Sequence, residues 1–432
     1  MQRRNVVLVD GARSAFARGG RGKLVATRLD DAGAHILRTL LDRNPKVTDS
    51  MIEDIGLGTL GGRTEFAYLG NVQRLAGLPL EVCAFNSNRQ CGSSMETMHR
   101  ISMAIMIGNM DCGVAMGIER MGRALMAGGP PPTRVTRMTS KISEMSPVQR
   151  APAPDHDAYF SVPFPDYILN SPWLQSMIQT AQNVAEVYEL AREELDKYTV
   201  ESHAKTHAAY EAGRYKEEVI PLEVEDPVFD DEGNWVEAET GPTITFDRDE
   251  GIRPGTKLEK LATLKPIPGT ISYGNKELVI TPGNACPTND GISAAILMSE
   301  EKAIALGLEP LARILGFATG GVKPQLMGLG PVVSSKKAFK HAGITADQIE
   351  RVEFNEAFAA QVIPSLRELG IPQDVVNVNG GSLAIGHPLG ATGARLVTTV
   401  AMELRRSNKR YGLATQCIGA GMGISTVLER LD

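Results

Sequence analysis

Four short stretches hold the side chains that could do chemistry. In NRQCGSSMETMHR (88–100) a lone thiol, Cys91, stands between polar residues and a run of small ones, just where an apolar helix begins. A cysteine attacks as its thiolate and is mostly protonated at neutral pH. Unpaired N–H groups at a helix start would lower its pKa, and a nearby imidazole could take the proton. Gly92, Ser93 and Ser94 permit a tight turn into the helix and leave room for a substrate carbonyl against the Cys91 N–H. The alternative is an inert core cysteine. His387 lies in NVNGGSLAIGHPLGATGAR among five glycines and a proline, a tight backbone that a packing histidine seldom needs. The other six histidines, His35, His99, His156, His203, His207 and His341, lie on helical or proline-rich stretches and read as surface or cap residues. Cys417 ends an apolar strand before IGAGMG, whose glycines would let another N–H face the same site; a buried strand cysteine before a hairpin is the alternative. Asn355 and Glu356 fall where a strand gives way to a helix, and could orient water or cap the helix.

Short apolar strands must alternate with helices to position these residues, which argues for an α/β fold. NVVLVDGA (5–12) and CGVAMGI (112–118) read as buried strands, and Gly92 to Ile107 as a helix buried on most sides. Nine of the 25 prolines lie between 128 and 172, a density that forbids long helix or central strand. Helical periodicity returns in MIQTAQNVAEVYEL (177–190), followed by a second helix with Glu193 and Glu194 near its start and Gly213 past its end. The acidic stretch 223–250 reads as exposed loop or hairpin. Strands are expected again at ELVI (277–280), GISAAILMS and ARILGFA. RVEFNEAFAAQVIPSLRELG runs from strand to helix, and YGLATQCIGAGMGISTVLER reads as two strands around a Gly-rich turn. An internal echo links the halves: Cys91 opens a small-residue loop, a helix and then a strand, and so does His387.

The 432 residues suggest two or three lobes. Hydrophobic content of 42% and charged content of 22% suit an ordinary globular protein, and a net charge of -6 gives no reason to expect nucleic acid. There is no transmembrane run, secretory signal or C-x-x-C pair. Five cysteines (Cys83, Cys91, Cys112, Cys286, Cys417) are too few for a disulfide framework, so a reducing cytoplasm and no metal are expected. GLGTLGG (56–62) contains the dinucleotide pattern G-x-G-x-x-G, but its first glycine falls where a strand should still be running.

NRQCGSS, FNEAFAAQ, NGGSLAIGHPLGATGAR and CIGAGMG, in this order and at these separations, closely resemble the degradative thiolases, and CGSSMETMH and YGLATQCIG lean toward 3-ketoacyl-CoA thiolases. The resemblance extends to NVVLVDGARSAFARG at the start and TPGNACPTNDG at 281–291. It implies two similar βαβαβαββ halves packed as a five-layered αβαβα sandwich. The N-terminal half would be residues 1–120 and 282–302, the CoA-binding loop domain 121–281, and the C-terminal half 303–432.

The implied reaction is cleavage of 3-ketoacyl-CoA by coenzyme A, through an acyl-cysteine, to acetyl-CoA and a shortened acyl-CoA, with CoA as co-substrate and no cofactor permanently bound. Cys91 would be the nucleophile, and His387 would take its proton and, with a water held by Asn355, form one oxyanion hole. The N–H groups of Cys91 and Gly419 would form a second hole, and Cys417 would act as acid and base. Arg253 would meet the nucleotide end of CoA, and Met177 and Met327 would line the acyl or pantetheine pocket. Cys286 stands where many relatives have a serine near pantetheine.

The resemblance also implies a homodimer or homotetramer, and leaves a multifunctional β-oxidation α-subunit open as a partner. Acetoacetyl-CoA thiolase and a non-catalytic CoA-binding scaffold subunit are the alternatives. Decarboxylating condensing enzymes fit less well, because they carry a second histidine where this chain has Asn355. Departures from the family pattern are LKPIPGTISYGNKELVITPGN, Cys286 and the proline-rich insertion at 124–172, all around the substrate or partner surface.

Overall fold

The computed structural model describes residues 3–60, 70–122, 159–173 and 175–431, so most of the insertion at 124–172 lies outside the described residues. The strands are β1 (Val6–Arg13), β2 (Ala17–Arg18), β3 (Asp54–Gly58), β4 (Cys83–Ser87), β5 (Cys112–Arg120), β6 (Leu222–Phe229), β7 (Trp235–Phe246), β8 (Asn289–Ser299), β9 (Ala312–Gly321), β10 (Arg351–Phe354), β11 (Tyr411–Ile418) and β12 (Met422–Glu429). The longer helices are α1 (Leu29–Asp42), α2 (Ser93–Met106), α3 (Met177–Val187), α4 (Arg192–Glu211), α5 (Gly330–Ala342), α6 (Ala359–Leu369) and α7 (Thr392–Ser407).

One sheet runs in the order β10-β11-β12-β9-β1-β8-β5-β3-β4, with β2 pairing β8. Its inner strands are near-continuous apolar runs because both faces are covered: every residue of β5 and β8 is buried. The sheet is two copies of one pattern. From β1 the pairings are antiparallel to β8, antiparallel to β5 and parallel to β3. From β9 they are antiparallel to β12, antiparallel to β11 and parallel to β10. The copies meet at β1 and β9 through Val7–Arg313 and Leu8–Ala312. This duplication is the source of the echo between the Cys91 and His387 segments.

The two helices that follow those segments, α2 and α7, touch each other and strands of both halves. Glycine permits that contact: a Cβ on Gly393 would lie 2.5 Å from the Met95 amide nitrogen. On the outer faces, α1 packs on β1, β5 and β8, and α5 on β9, β11 and β12. The layers therefore read helix, one half of the sheet, helix pair, the other half of the sheet, helix.

Between β5 and β8 the chain makes an excursion containing α3, α4 and the antiparallel β6–β7 hairpin, the form taken by the acidic stretch. Ser176 caps α3 by accepting the Gln179 N–H. The excursion is bolted to β1 by the buried Arg13, whose guanidinium donates to Glu218 and Asp249, both at 2.7 Å. The strand expected at ELVI does not form. Its backbone instead bonds to side-chain and loop groups: the Val279 N–H donates to Gln182 Oε1 (3.0 Å) and the Ile280 carbonyl accepts from Ile267 (3.0 Å). In GLGTLGG, Gly56 and Gly58 lie inside β3 and admit α2: a Cβ on Gly58 would sit 2.4 Å from the Ser94 nitrogen. Tight helix packing explains these glycines without a dinucleotide.

Candidate active site

Cys91 sits just ahead of α2, after Gln90, whose φ of 48° is costly for a non-glycine residue. The turn is tied locally, since Ser93 Oγ accepts the Arg89 N–H (3.0 Å) and donates to the Gln90 carbonyl (2.6 Å). Gln416 Nε2 donates to the Cys91 carbonyl at 2.7 Å. Burial pushes the Cys91 thiol up to about 11, although the Gly419 N–H and its own N–H bond the sulfur and offset part of the rise. This reverses the sequence expectation of a lowered pKa. Helix-start donors are present, but removal from water outweighs them, and the thiol rests protonated. Nothing in the packing demands glycine at 419, because the nearest atoms to a Cβ there belong to Gln90, at 3.7 Å or beyond.

His387 is 2% exposed. Its backbone N–H donates to Asn289 Oδ1 (2.9 Å), and the preceding Gly386 takes φ 113° with no room for a Cβ beside that same carboxamide. Asn355 Nδ2 meets His387 Nε2 at 3.2 Å, and Thr392 Oγ1 meets Nδ1 at 2.7 Å. Burial, with the Arg395 charge adding to it, lowers the imidazole pKa to about 3, so the ring is neutral. The histidine loop lies on the cysteine helix: the Ser94 N–H donates to the Gly390 carbonyl (3.2 Å) and the Ala394 N–H to Ser94 Oγ (2.9 Å). Asn355 does not cap α6, whose N-cap residue is Phe358. Glu356 is a buried anchor, accepting from Tyr198 and Ser202 of α4, Asn377 and the Leu383 N–H.

Cys417, 1% exposed, is near the end of β11. Burial raises its pKa, the nearby Cys91 and Cys286 raise it further, and a hydrogen bond with the Gln361 side chain opposes them. Gln361 Nε2 also donates to the Asn355 carbonyl at 2.9 Å, which ties the second thiol to the histidine's partner. Cys286 is pushed up to about 12 by burial and by the proximity of Cys91. The structure thus gathers Cys91, Cys286, Cys417 and Gly419 around one point, with Asn355 and His387 joined to it through Gln361 and the Ser94–Gly390 contact.

A cavity of about 550 Å³ is lined by Arg18, His203, Arg253, Cys286, Phe358 and Leu383, among others. Arg253 and Cys286 therefore share one space. Met177 begins α3 and is 36% exposed, while its neighbour Ile178 lines the cavity; Met327 is 2% exposed in the apolar cluster that includes Cys417. Two histidines depart from the surface expectation. His203 is 6% exposed and accepts the Arg253 N–H at Nδ1, and burial lowers its pKa to about 4. His99 is buried against Phe317, ring centroids 4.4 Å apart, with Nε2 2.8 Å from Thr426 Oγ1.

Sequence reading also missed Gln361, Ser382, Thr392 and Glu119. Glu119 could have been found as a carboxylate closing the wholly apolar run CGVAMGI. It accepts the Leu60 and Gly390 N–H groups, and burial pushes it up to about 7.

Comparison with known proteins gives a consistent answer. The family model for the thiolase N-terminal domain matches residues 6–301, and that for the thiolase C-terminal domain residues 308–430. The chain is 37% identical over 432 residues to a 3-ketoacyl-CoA thiolase of Vibrio vulnificus (strain CMCP6), covering 99% of this chain and 100% of the relative. It is 38% identical over 435 residues to a β-ketoadipyl-CoA thiolase of Escherichia coli, covering 99% and 100%. The crystal structure of human mitochondrial 3-ketoacyl-CoA thiolase superposes with a TM-score of 0.79 at 29% identity, covering 99% of both chains.

Proposed function

The chain belongs to the thiolase family, and from that premise we propose that it cleaves 3-ketoacyl-CoA with coenzyme A, yielding acetyl-CoA and an acyl-CoA two carbons shorter. The observation that carries the reading is the Cys91 sulfur. It is a protonated nucleophile that accepts two backbone N–H groups and has a second buried thiol beside it.

In the first half-reaction the Cys91 sulfur bonds to the 3-keto carbon as its proton passes to neutral His387 Nε2, displacing the Asn355 N–H from that lone pair. The charge on the former carbonyl oxygen is met by preorganised donors, each worth about 3 kcal/mol in comparable sites. The bond between C2 and C3 then breaks with its electron pair leaving as the acetyl-CoA enolate. The Cys417 thiol protonates C2, acetyl-CoA departs, and the acyl group remains on Cys91. In the second half-reaction the Cys417 thiolate takes the proton of incoming CoA, whose sulfur attacks the thioester. Cys91 leaves and recovers its proton from His387. Two thiols are needed because the covalent task and the carbon-protonating task occur at different atoms.

Arg253 and Cys286 on the shared cavity would hold the CoA limb, with Met177 and Met327 at its edge and Gly419 kept bare for the thioester. Residues 121–281 would act as the CoA-binding domain. The reaction requires CoA only as substrate. Five cysteines with no disulfide among them suit a reducing cytoplasm. A homodimer is supported by the position of β4 at the end of the sheet and by Met103 and Ile107, 45% and 66% exposed, at the end of α2. Relatives of similar identity are named for different acyl groups, so the assay takes a panel of 3-ketoacyl-CoAs, straight-chain and dicarboxylic, with CoA. CoA-dependent release of acetyl-CoA, followed by mass spectrometry, is the expected result. No turnover of any member would overturn the reading.

A further inference from the structure

We infer that Ser382 is a positioning residue that fixes the orientation of the Asn355 carboxamide and, through it, the protonation of His387. The inference rests on the thiolase reading of that site. A carboxamide can turn over and exchange its donor and acceptor ends with little change in shape. If Asn355 turned, its oxygen would face His387 Nε2, and the ring would have to carry its proton there. A base with its lone pair on Nε2 would be lost.

The structure holds the productive orientation by a one-way chain of donors. Arg395, 1% exposed, can only donate, and its guanidinium spans Glu353 Oε2 (2.7 Å) and Ser382 Oγ (2.8 Å). Ser382, fully buried, accepts that bond and has a single proton of its own to give. The proton goes to Asn355 Oδ1 at 2.7 Å. With its oxygen engaged, Asn355 presents Nδ2 to His387 Nε2 at 3.2 Å, which makes Nε2 the acceptor. The ring proton must then sit on Nδ1, facing Thr392 Oγ1 at 2.7 Å, and the Thr392 hydroxyl donates to the Pro388 carbonyl at 2.9 Å. Polarity enters at the guanidinium and leaves at a carbonyl. Among the described residues Ser382 is the one link joining Arg395 to Asn355, and it makes no hydrogen bond there to His387, Cys91 or Cys417.

The test is a double-mutant cycle on the full chain with Ser382→Ala, Asn355→Ala and the pair, beside Ser382→Thr, which keeps the hydroxyl. Ser382→Ala should lower kcat by about tenfold, the rate equivalent of one hydrogen bond, with KM little changed. The loss should be absent or much smaller when Asn355 is already alanine, and Ser382→Thr should recover activity relative to Ser382→Ala. Wild-type kcat in Ser382→Ala, or a full additional loss on top of Asn355→Ala, would overturn the inference. Nitrogen-15 shifts of histidine-labelled protein read the same point without turnover. Wild type should show His387 protonated at Nδ1 alone, and Ser382→Ala should show a mixture of tautomers. An unchanged His387 pattern would reject the positioning role even if wild type cleaved no ketoacyl-CoA, whereas an inactive wild type with a changed pattern would fault only the thiolase reading.

Discussion

In the proposed reaction Cys91 becomes a nucleophile only as its proton leaves, because burial holds the resting thiol protonated. With its pKa near 11, the thiolate fraction should rise tenfold per pH unit through the neutral range. Alkylation of Cys91 by iodoacetamide, followed by peptide mass spectrometry, should therefore accelerate steadily from about pH 7 to about pH 10. A plateau near pH 7 would contradict the buried, protonated thiol. Gly419 supplies a second residue-scale prediction. A Cβ there meets no protein atom closer than 3.7 Å, so Gly419→Ala should melt within ~1 kcal/mol of wild type yet raise KM or lower kcat severalfold. Wild-type kinetics in that variant would show that nothing approaches the N–H closely. At this scale the side chains that meet at the candidate site were legible, because a thiol among small residues and a histidine among glycines are unusual company. Their partners were not. Gln361, Ser382 and Thr392 are ordinary polar residues whose importance arises only when folding brings them to Asn355, Cys417 and His387.

At the scale of elements, the loop after β3 and the histidine loop before α7 are clasped by one carboxylate. Glu119, at the end of β5, accepts the Leu60 N–H at 3.0 Å and the Gly390 N–H at 2.9 Å. Its pKa in the fold, about 7, lies above its ordinary value of 4.5 because burial penalises the charge. The sign follows from linkage: its contribution to stability is complete below about pH 4.5 and is lost as pH rises through about 7. Between those limits the melting temperature of Glu119→Gln should fall less than that of wild type, and an identical fall would show that Glu119 ionises normally. Glycine explains how these loops can lie so close, since a Cβ on Gly390 would stand 2.8 Å from the Glu119 carboxylate. The sequence showed α2, α3, α4, α6, α7 and most strands, but α1 and α5 went unread. It misled at ELVI, where apolar β-branched residues suggested a strand but Gln182 and Ile267 take up backbone groups that a ladder would use.

For the whole molecule, the site is a product of duplication, with Cys91 delivered by the loop before α2 of one half and His387 by the loop before α7 of the other. The echo was visible in the sequence, but the joining of β1 to β9 was not, because edge pairing leaves no local pattern. The excursion inserted in the first half, between β5 and β8, is pinned to β1 by Arg13, buried between Glu218 and Asp249. Arg13→Met leaves two buried carboxylates unpaired and should cost about 3–5 kcal/mol in a denaturant melt, with faster proteolysis of the excursion. A change under ~1 kcal/mol would mean that the excursion is held by other contacts. The most direct test of the central claim is to incubate the protein with a 3-ketoacyl-CoA in the absence of free CoA and map the adduct by mass spectrometry. The account predicts one acyl group, two carbons shorter than the substrate acyl chain, on Cys91, released on adding CoA and absent from Cys91→Ala. An unmodified Cys91, or the acyl group on Cys286 or Cys417 instead, would contradict it.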